Sequence, residues 1–143
     1  MDRLVQSIDN VRLTDAEDAV VILDQSLLPG RTEYRVLSDA ESLREAIFSL
    51  RVRGAPAIGI CAGYGMYLLA RRIKTESVPE FLAKLRACKD YLDAARPTAV
   101  NLSWATARMV RRAGENAGRP VPEIVRLLGE ECRRIQAEDA EMC

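Results

Sequence analysis

Hydrophobic residues follow two different periods along this chain, and the change falls near Ser38. Before it, three short β-branched runs, NVRLTD, AVVILDQ and TEYRVLS, are separated by acidic or Pro-Gly turn signals, as is typical of strands. After it, apolar residues recur at the three- and four-residue spacing of amphipathic helices. The pattern predicts an α+β fold, with a small antiparallel β-sheet of three strands in residues 1–37 and a bundle of about five helices in residues 38–143.

Capping signals give the boundaries of the predicted helices. SDAE at residues 38–41 and SVPE at residues 77–80 have the serine–glutamate spacing of a capping box, and Thr98 is the expected N-cap of a later helix. A helix over about residues 56–73 is apolar nearly all round, which predicts the central, buried element. The last helix, from near Pro122, continues to EDAEMC without a stop signal, which predicts the N-terminal part of a longer protein or an independent domain descended from one.

The other predicted helices each carry one apolar stripe that should face the core. The predicted core residues are Leu43, Ile47, Leu50, Phe81, Leu82, Leu85, Cys88, Leu92, Leu102, Ala105, Met109, Ala113, Ile124, Leu128, Cys132 and Ile135.

Composition narrows the possible partners. With 143 residues the chain suits a single domain, and its 21 basic and 21 acidic residues cancel, so no overall field recruits nucleic acid or an anionic membrane. Residues 46–143 nevertheless carry sixteen basic and eleven acidic residues, a bias that suits a small anion. No stretch reads as a signal peptide or a membrane span, so we expect a cytoplasmic protein. The chain has no histidine and four widely spaced cysteines, which argues against a zinc site or a disulfide framework.

The segment RGAPA at residues 53–57 is the first candidate site. Gly54 permits an unusual backbone, and Pro56 suits a first helical turn, so the amides around Ala55 and Ala57 would face an anion at a helix N-terminus, with Arg53 beside them. The planar guanidinium of Arg53 can bind two phosphate oxygens. Alternatively, the small residues that follow serve only close helix packing; they are Gly59, Ala62, Gly63 and Gly65.

A second candidate lies in ARPTAVNLSW at residues 95–104. Arg96 precedes Pro97 and is therefore expected on an extended corner just before a helix, again an arginine at a helix N-terminus. The alternative for Arg96 is a solvated charge or an internal ion pair. Two such arrangements favour one phosphorylated ligand between them. Asn101 could face the same pocket or cap a turn, and Trp104 is expected in the core or in interdomain packing.

We expect structural roles for the other reactive side chains. Cys61 has no histidine to activate it and is expected to be buried. Asp24 and Gln25 are expected to fix a turn through backbone hydrogen bonds. Four carboxylates of the last helix are expected on a solvated face: Glu130, Glu131, Glu138 and Asp139. No pair of carboxylates is spaced for acid–base work, so the residues suggest an anion grip without a catalyst, and no metal or cofactor is expected.

Three motifs together resemble one family. RGAPAIG, ARPTAVNLSWA and LDQSLLPG are similar to the N-terminal domain of the S-methyl-5-thioribose-1-phosphate isomerases, which share their fold with ribose-1,5-bisphosphate isomerase and the regulatory subunits of translation initiation factor 2B. The resemblance spans essentially the whole chain, and PTAVNLSWA favours the methylthioribose branch.

The resemblance implies an aldose–ketose isomerase of methionine salvage that uses no metal or nucleotide cofactor and commonly forms a homodimer. It assigns contacts with the phosphorylated sugar to Arg53, Gly54, Ala55 and Arg96. The family's catalytic cysteine and aspartate lie in a following Rossmann-like domain, which these 143 residues lack, so this chain alone is expected to bind without turnover. The alternatives are a free-standing regulatory or protein-interaction module related to the initiation factor subunits, or part of a ribose-1,5-bisphosphate isomerase.

Overall fold

A three-stranded antiparallel sheet opens the structure, as predicted. The computed structural model describes residues 11–24, 30, 32–49 and 55–142, and the side chains of residues 55 and 139–142 are outside this description. The strands, in the spatial order β1-β2-β3, are β1 (Val11–Leu13), β2 (Val20–Leu23) and β3 (Tyr34–Leu37). β2 is the middle strand, so its Val20 and Ile22 are completely buried.

Five helices follow within the described residues, which confirms the α+β prediction. They are α1 (Ala40–Phe48), α2 (Ala55–Arg71), α3 (Val78–Asp93), α4 (Val100–Glu115) and α5 (Val121–Met142). The predicted stripes form the core, except that Leu82 and Cys88 are only partly buried and Leu50 lies outside the described residues. None of the described helices is long and apolar enough to cross a bilayer.

The N-caps of α1 and α3 differ in how well the sequence predicted them. α1 is capped by Asp39, one residue after the predicted Ser38, because the Asp39 carboxylate accepts the Ser42 N–H at 2.7 Å while the Ser42 hydroxyl accepts the Asp39 N–H at 3.2 Å. An aspartate also adds a negative charge at the positive helix end. Ser77 caps α3 as predicted, since its hydroxyl accepts the Glu80 N–H at 3.3 Å. The predicted return bond from Glu80 does not form, because the Ser77 N–H donates to the Thr75 hydroxyl at 3.1 Å.

Helix α2 is the central element, as its apolar sequence predicts. Every residue from 58 to 70 is buried. α5 packs against it in the antiparallel direction, because Gly129 of α5 lies against Tyr67 whereas Cys132 and Ile135 lie against Gly63. α4 is antiparallel to α5 as well, since Arg112 and then Arg108 meet successive carboxylates along α5.

The two antiparallel relations bring three helix ends together. α2 and α4 run in the same direction, and a methyl group on Gly59 would lie 3.6 Å from the Asn101 carbonyl oxygen. The N-terminal turns of α2 and α4 are therefore neighbours, and the C-terminal turn of α5 reaches the same end of the bundle.

The β1–β2 turn is fastened to this bundle through Glu17. Glu17 has a φ of 57°, an uncommon conformation for a residue with a side chain. Its carboxylate accepts the Tyr67 hydroxyl of α2 at 2.7 Å and pairs with Arg133 of α5, and its carbonyl accepts from Arg71. These contacts offset the backbone strain and dock the sheet on both helices.

Candidate functional site

Arg96 lies in a corner of consecutive tight turns between α3 and α4. Its N–H donates to the Asp93 carbonyl at 3.1 Å, and its own carbonyl accepts the Ala99 N–H at 3.0 Å. The predicted corner before the helix is present, and the chain closes it as a turn around Pro97, which is favoured at the second position of a β-turn. The extended conformation of Arg96 itself stays a prediction. The Arg96 side chain is half-buried.

The turn also moves the start of α4 past the predicted cap. Thr98 is exposed and ahead of the cap, and the N-cap is Ala99, whose side chain accepts no hydrogen bond. The prediction that Thr98 caps this helix is wrong, because the Ala99 N–H is used to close the turn at Arg96. The first amides of α4 consequently lack the side-chain acceptor that a serine, threonine or aspartate would give.

Arg96 has no acidic partner in the part of the chain that the structure describes. It takes part in no ion pair there, which argues against the alternative of an internal carboxylate pair. The first turns of α2 and α4 contain no acidic residue either. An unpaired guanidinium thus lies at the start of one of two adjacent helices, and their dipoles favour negative charge at this end.

The other predicted site residues lie at the start of α2. Arg53 and Gly54 are outside the described residues, and Ala55 is the first residue of α2. Pro56 follows in the first turn and is exposed, in keeping with the preference of proline for this position. Whether Arg53 faces the ligand that we expect at Arg96 therefore stays a prediction.

The prediction of a solvated acidic face on α5 is wrong for Glu131. This carboxylate is only 7% exposed, because Arg108 of α4 donates to it at 2.5 Å. Arg108 also binds Glu138 through two nitrogens, at 2.6 and 2.8 Å, and this hydrogen bonding lowers the pKa of Glu138. Glu138 itself is exposed and Glu130 is partly exposed, as predicted, while the side chain of Asp139 lies outside the description.

Trp104 is 48% exposed, so it does not lie in the core, and the other expectation, interdomain packing, stays a prediction. Its ring carries the Arg108 guanidinium, 5.3 Å from the ring centroid, and Val100 one turn earlier is 75% exposed. The two apolar residues form an outward face at the same end of the bundle as Arg96. Asn101, beside them, is partly buried where α4 meets α2.

Cys61 is completely buried in α2, as predicted, and burial raises its pKa to about 12. Asp24 is also fully buried, and its backbone N–H donates to the Glu33 carbonyl at 2.8 Å. Its carboxylate pairs with Arg35 of β3, a partner that the sequence reading missed. Gln25 lies outside the described residues.

Two residues behind the Arg96 corner were also missed. The Thr106 hydroxyl of α4, completely buried, donates to the Asp93 carboxylate at the end of α3 at 2.7 Å. The signal was present in the sequence, since Thr106 is a polar residue next to the apolar stripe of Leu102 and Met109. Its partner was not predictable, because it comes from another helix.

Comparison with known proteins places this chain in a family. Residues 51–143 match the Initiation factor 2 subunit family, and the chain belongs to it. Over 133 residues the chain is 47% identical to a methylthioribose-1-phosphate isomerase of Parabacteroides distasonis and 42% identical to a 5-deoxyribose 1-phosphate isomerase of Clostridium botulinum strain Okra. These matches take in 93% of this chain but 40% and 38% of the two relatives, so the chain spans about two fifths of their length.

Solved structures show the same fold in proteins of two kinds. The 5-methylthioribose 1-phosphate isomerase of Pyrococcus horikoshii OT3 superposes with a TM-score of 0.84 at 37% identity, covering 90% of this chain and 36% of that one. The delta subunit of translation initiation factor eIF-2B from A. fulgidus gives 0.82 at 33% identity, covering 92% and 37%. The fold is therefore similar to that of an isomerase and to that of an initiation factor subunit.

Proposed function

We propose that this chain is the N-terminal, substrate-holding part of an aldose–ketose isomerase that converts S-methyl-5-thio-α-D-ribose 1-phosphate into S-methyl-5-thio-D-ribulose 1-phosphate. Its role is to bind the phosphate ester. Arg53, the amides of Gly54 and Ala55, and Arg96 form the grip, and a following Rossmann-like domain supplies the chemistry. The protein acts in the cytoplasm, in methionine salvage, as a homodimer.

The single observation that carries the proposal is the unpaired Arg96 at the start of α4, whose first turn is a neighbour of the first turn of α2, both turns being without acidic residues. A phosphate monoester carries nearly two negative charges near neutral pH, so a guanidinium and free helix amides suit it together. The names of the relatives support a pentose 1-phosphate as the ester, since the substrates in both names have this form.

The chemistry of the substrate explains why a grip alone is insufficient. The phosphate on C1 blocks simple opening of the sugar ring, so isomerisation needs positioned acid and base groups. Among the described residues around Arg96, the Asp93 carboxylate is already bound by Thr106 and Lys89. The chain therefore contributes orientation and charge stabilisation, while proton transfer belongs to groups outside it.

Ligand binding by the intact gene product tests the grip. We expect methylthioribose 1-phosphate to raise the melting temperature, and Arg96→Ala to weaken binding about ten- to hundredfold, because a hydrogen bond to a charged group contributes about 1.5–3 kcal/mol. Arg53→Ala should act similarly. Arg126→Ala is the matched control, since Arg126 is an exposed arginine of α5 that pairs with Glu130 at 2.6 Å.

The choice of ligands separates the related activities. Titration with 5-deoxyribose 1-phosphate and ribose 1,5-bisphosphate beside methylthioribose 1-phosphate ranks the three substrates, and ketose formation reports turnover. Equal affinity in wild type, Arg96→Ala and Arg126→Ala would contradict the proposed grip.

A regulatory or protein-interaction module is the second candidate. The similarity to the initiation factor delta subunit favours it. This function predicts that the intact protein shows no thermal shift with any of the three sugar phosphates and forms no ketose.

A further inference from the structure

A buried polar contact joins the last turn of α3 to the second turn of α4. The Thr106 hydroxyl donates to one oxygen of the Asp93 carboxylate at 2.7 Å, and Lys89 binds the other oxygen at 2.5 Å. Thr106 is completely buried, one of three buried polar or charged residues among those described, while the Lys89 and Asp93 side chains are about one-quarter exposed.

Such a contact is not the arrangement of lowest free energy for packing two helices. Burying a hydroxyl and part of a carboxylate costs free energy that the hydrogen bond only partly recovers, and an apolar pair of the same shape is often at least as stable. A hydrogen bond does, however, fix the distance and direction between two elements, which apolar contacts define less sharply.

The corner that carries Arg96 lies in the chain between Asp93 and Thr106, the two residues of this contact. The Asp93 carbonyl accepts the Arg96 N–H at 3.1 Å, and the Arg96 carbonyl accepts the Ala99 N–H at 3.0 Å directly before α4 begins. Asp93 therefore holds the corner through its backbone and holds α4 through its side chain. The pair Asp93 and Thr106 therefore fixes the positions of both ends of the loop.

We propose that Asp93 and Thr106 are positioning residues that hold the Arg96 corner against α4, so that the Arg96 guanidinium is aimed at the paired helix starts. This inference rests on the proposed function for its purpose, but the positioning itself is measurable without any ligand. Neither residue touches the sugar phosphate.

Thr106→Val tests the contact because it keeps the shape of the side chain and removes the hydroxyl. We expect the amide hydrogens of Arg96 and Ala99 to exchange at least about tenfold faster, while core amides of α2 are unaffected. In the intact protein, affinity for methylthioribose 1-phosphate should fall about three- to tenfold. Thr106→Ser should restore both, since serine keeps the donor.

Thr75→Val is the control for an exposed hydroxyl–carboxylate contact. The Thr75 hydroxyl also donates to a carboxylate, that of Glu80, at 2.7 Å, but in the loop between α2 and α3. It should change neither the exchange at the Arg96 corner nor the affinity. Asp93→Asn keeps an oxygen for Thr106 and removes the charge paired with Lys89, so it should leave corner exchange closer to wild type than Thr106→Val does.

The outcomes separate this proposal from the proposed function. Unchanged corner exchange in Thr106→Val would overturn the positioning role, whatever the ligand does. Faster exchange with unchanged affinity, where Arg96→Ala does lose affinity, would overturn its link to the site. If Arg96→Ala leaves affinity unchanged, the phosphate grip fails, and the exchange data decide the positioning role alone.

Discussion

Glu131 is the carboxylate on which three arginine side chains converge. Arg108 lies 2.5 Å away, Arg134 3.3 Å and Arg112 3.6 Å, and only Arg108 is nearly buried with it. Removing Arg108 leaves a buried carboxylate with its two weaker partners. We expect Arg108→Met, which keeps an unbranched apolar stem in place, to lower the free energy of unfolding by about 2 kcal/mol, measured by urea denaturation.

Arg126→Met is the control for this prediction. Arg126 pairs with Glu130 at 2.6 Å on the exposed side of α5, the helix that also carries Glu131. Solvent screening there leaves an ion pair worth less than about 0.5–1 kcal/mol. Equal losses in the two variants would show that burial of the Arg108 pair contributes nothing.

Cysteine reactivity follows burial in the same way. Burial raises the pKa of the thiols of Cys61 and Cys132 to about 12, so at pH 8 roughly one molecule in ten thousand carries the thiolate. The thiol of Cys88 is only partly buried. We expect iodoacetamide at pH 8 to label Cys88 in the folded protein well before Cys61 or Cys132, as measured by mass spectrometry of peptides. Comparable labelling rates without denaturant would contradict the buried position of Cys61.

Among the elements, α2 and α5 are in tight contact at Gly129. A methyl group there would lie 2.9 Å from two ring carbons of Tyr67, whose hydroxyl is hydrogen-bonded to Glu17. Gly129→Ala must push this ring away, so we expect a loss of about 1–3 kcal/mol in the free energy of unfolding. Gly114→Ala in α4 meets nothing within 4 Å and should be neutral or gain up to about 1 kcal/mol. A stabilising Gly129→Ala would refute this packing.

Local sequence patterns predicted the helices better than the residues at which the helices begin. The stripes from Leu102 to Ala113 and from Ile124 to Ile135 follow directly from helical periodicity, and all their predicted members are buried. The N-caps were predicted less well. Asp39 and Ser38 can both cap α1, and the turn that makes Ala99 the N-cap of α4 has no signal in the neighbouring residues. Where two adjacent residues can both cap, tertiary packing selects one.

For the molecule as a whole, sequence reasoning could reach the helix starts at which we propose an anion site, but not their surroundings. Arg96 beside Pro97 indicates a corner before a helix from local chemistry alone. The neighbouring positions of α2 and α4, the Asp93–Thr106 contact and the burial of Glu131 each join residues of different helices. Such contacts depend on how the helices pack, and periodicity does not encode their register.

The pH dependence of folding stability has an acid limb that follows from three described carboxylates. Hydrogen bonds from Arg108, from the Ser42 backbone and from Thr75 lower the pKa of Glu138, Asp39 and Glu80 respectively. A lowered pKa in the folded state contributes stability above the ordinary values of 4.5 for glutamate and 3.8 for aspartate. That stability is lost as the pH falls through the lowered values.

The alkaline limb has the opposite sign and comes from buried neutral acids. Burial raises the pKa of Cys61, Cys132 and Tyr64 to about 12, from ordinary values of 9.0 for cysteine and 10.0 for tyrosine. Above those ordinary values the unfolded chain loses protons that the folded chain keeps, so stability falls as the pH rises toward 12. With no histidine in the sequence, we expect a plateau between about pH 5 and 8.

Urea denaturation between pH 3 and 11 measures both limbs of this pH profile. Cys61→Ala removes one buried thiol, so it should flatten the alkaline limb by up to about 1.4 kcal/mol per pH unit even though it lowers stability at every pH. The acid limb should keep its slope in this variant, because Cys61 is protonated in both states there. An alkaline slope identical to wild type would mean that the Cys61 thiol ionises in the folded protein as readily as in the unfolded chain, which its complete burial in α2 forbids.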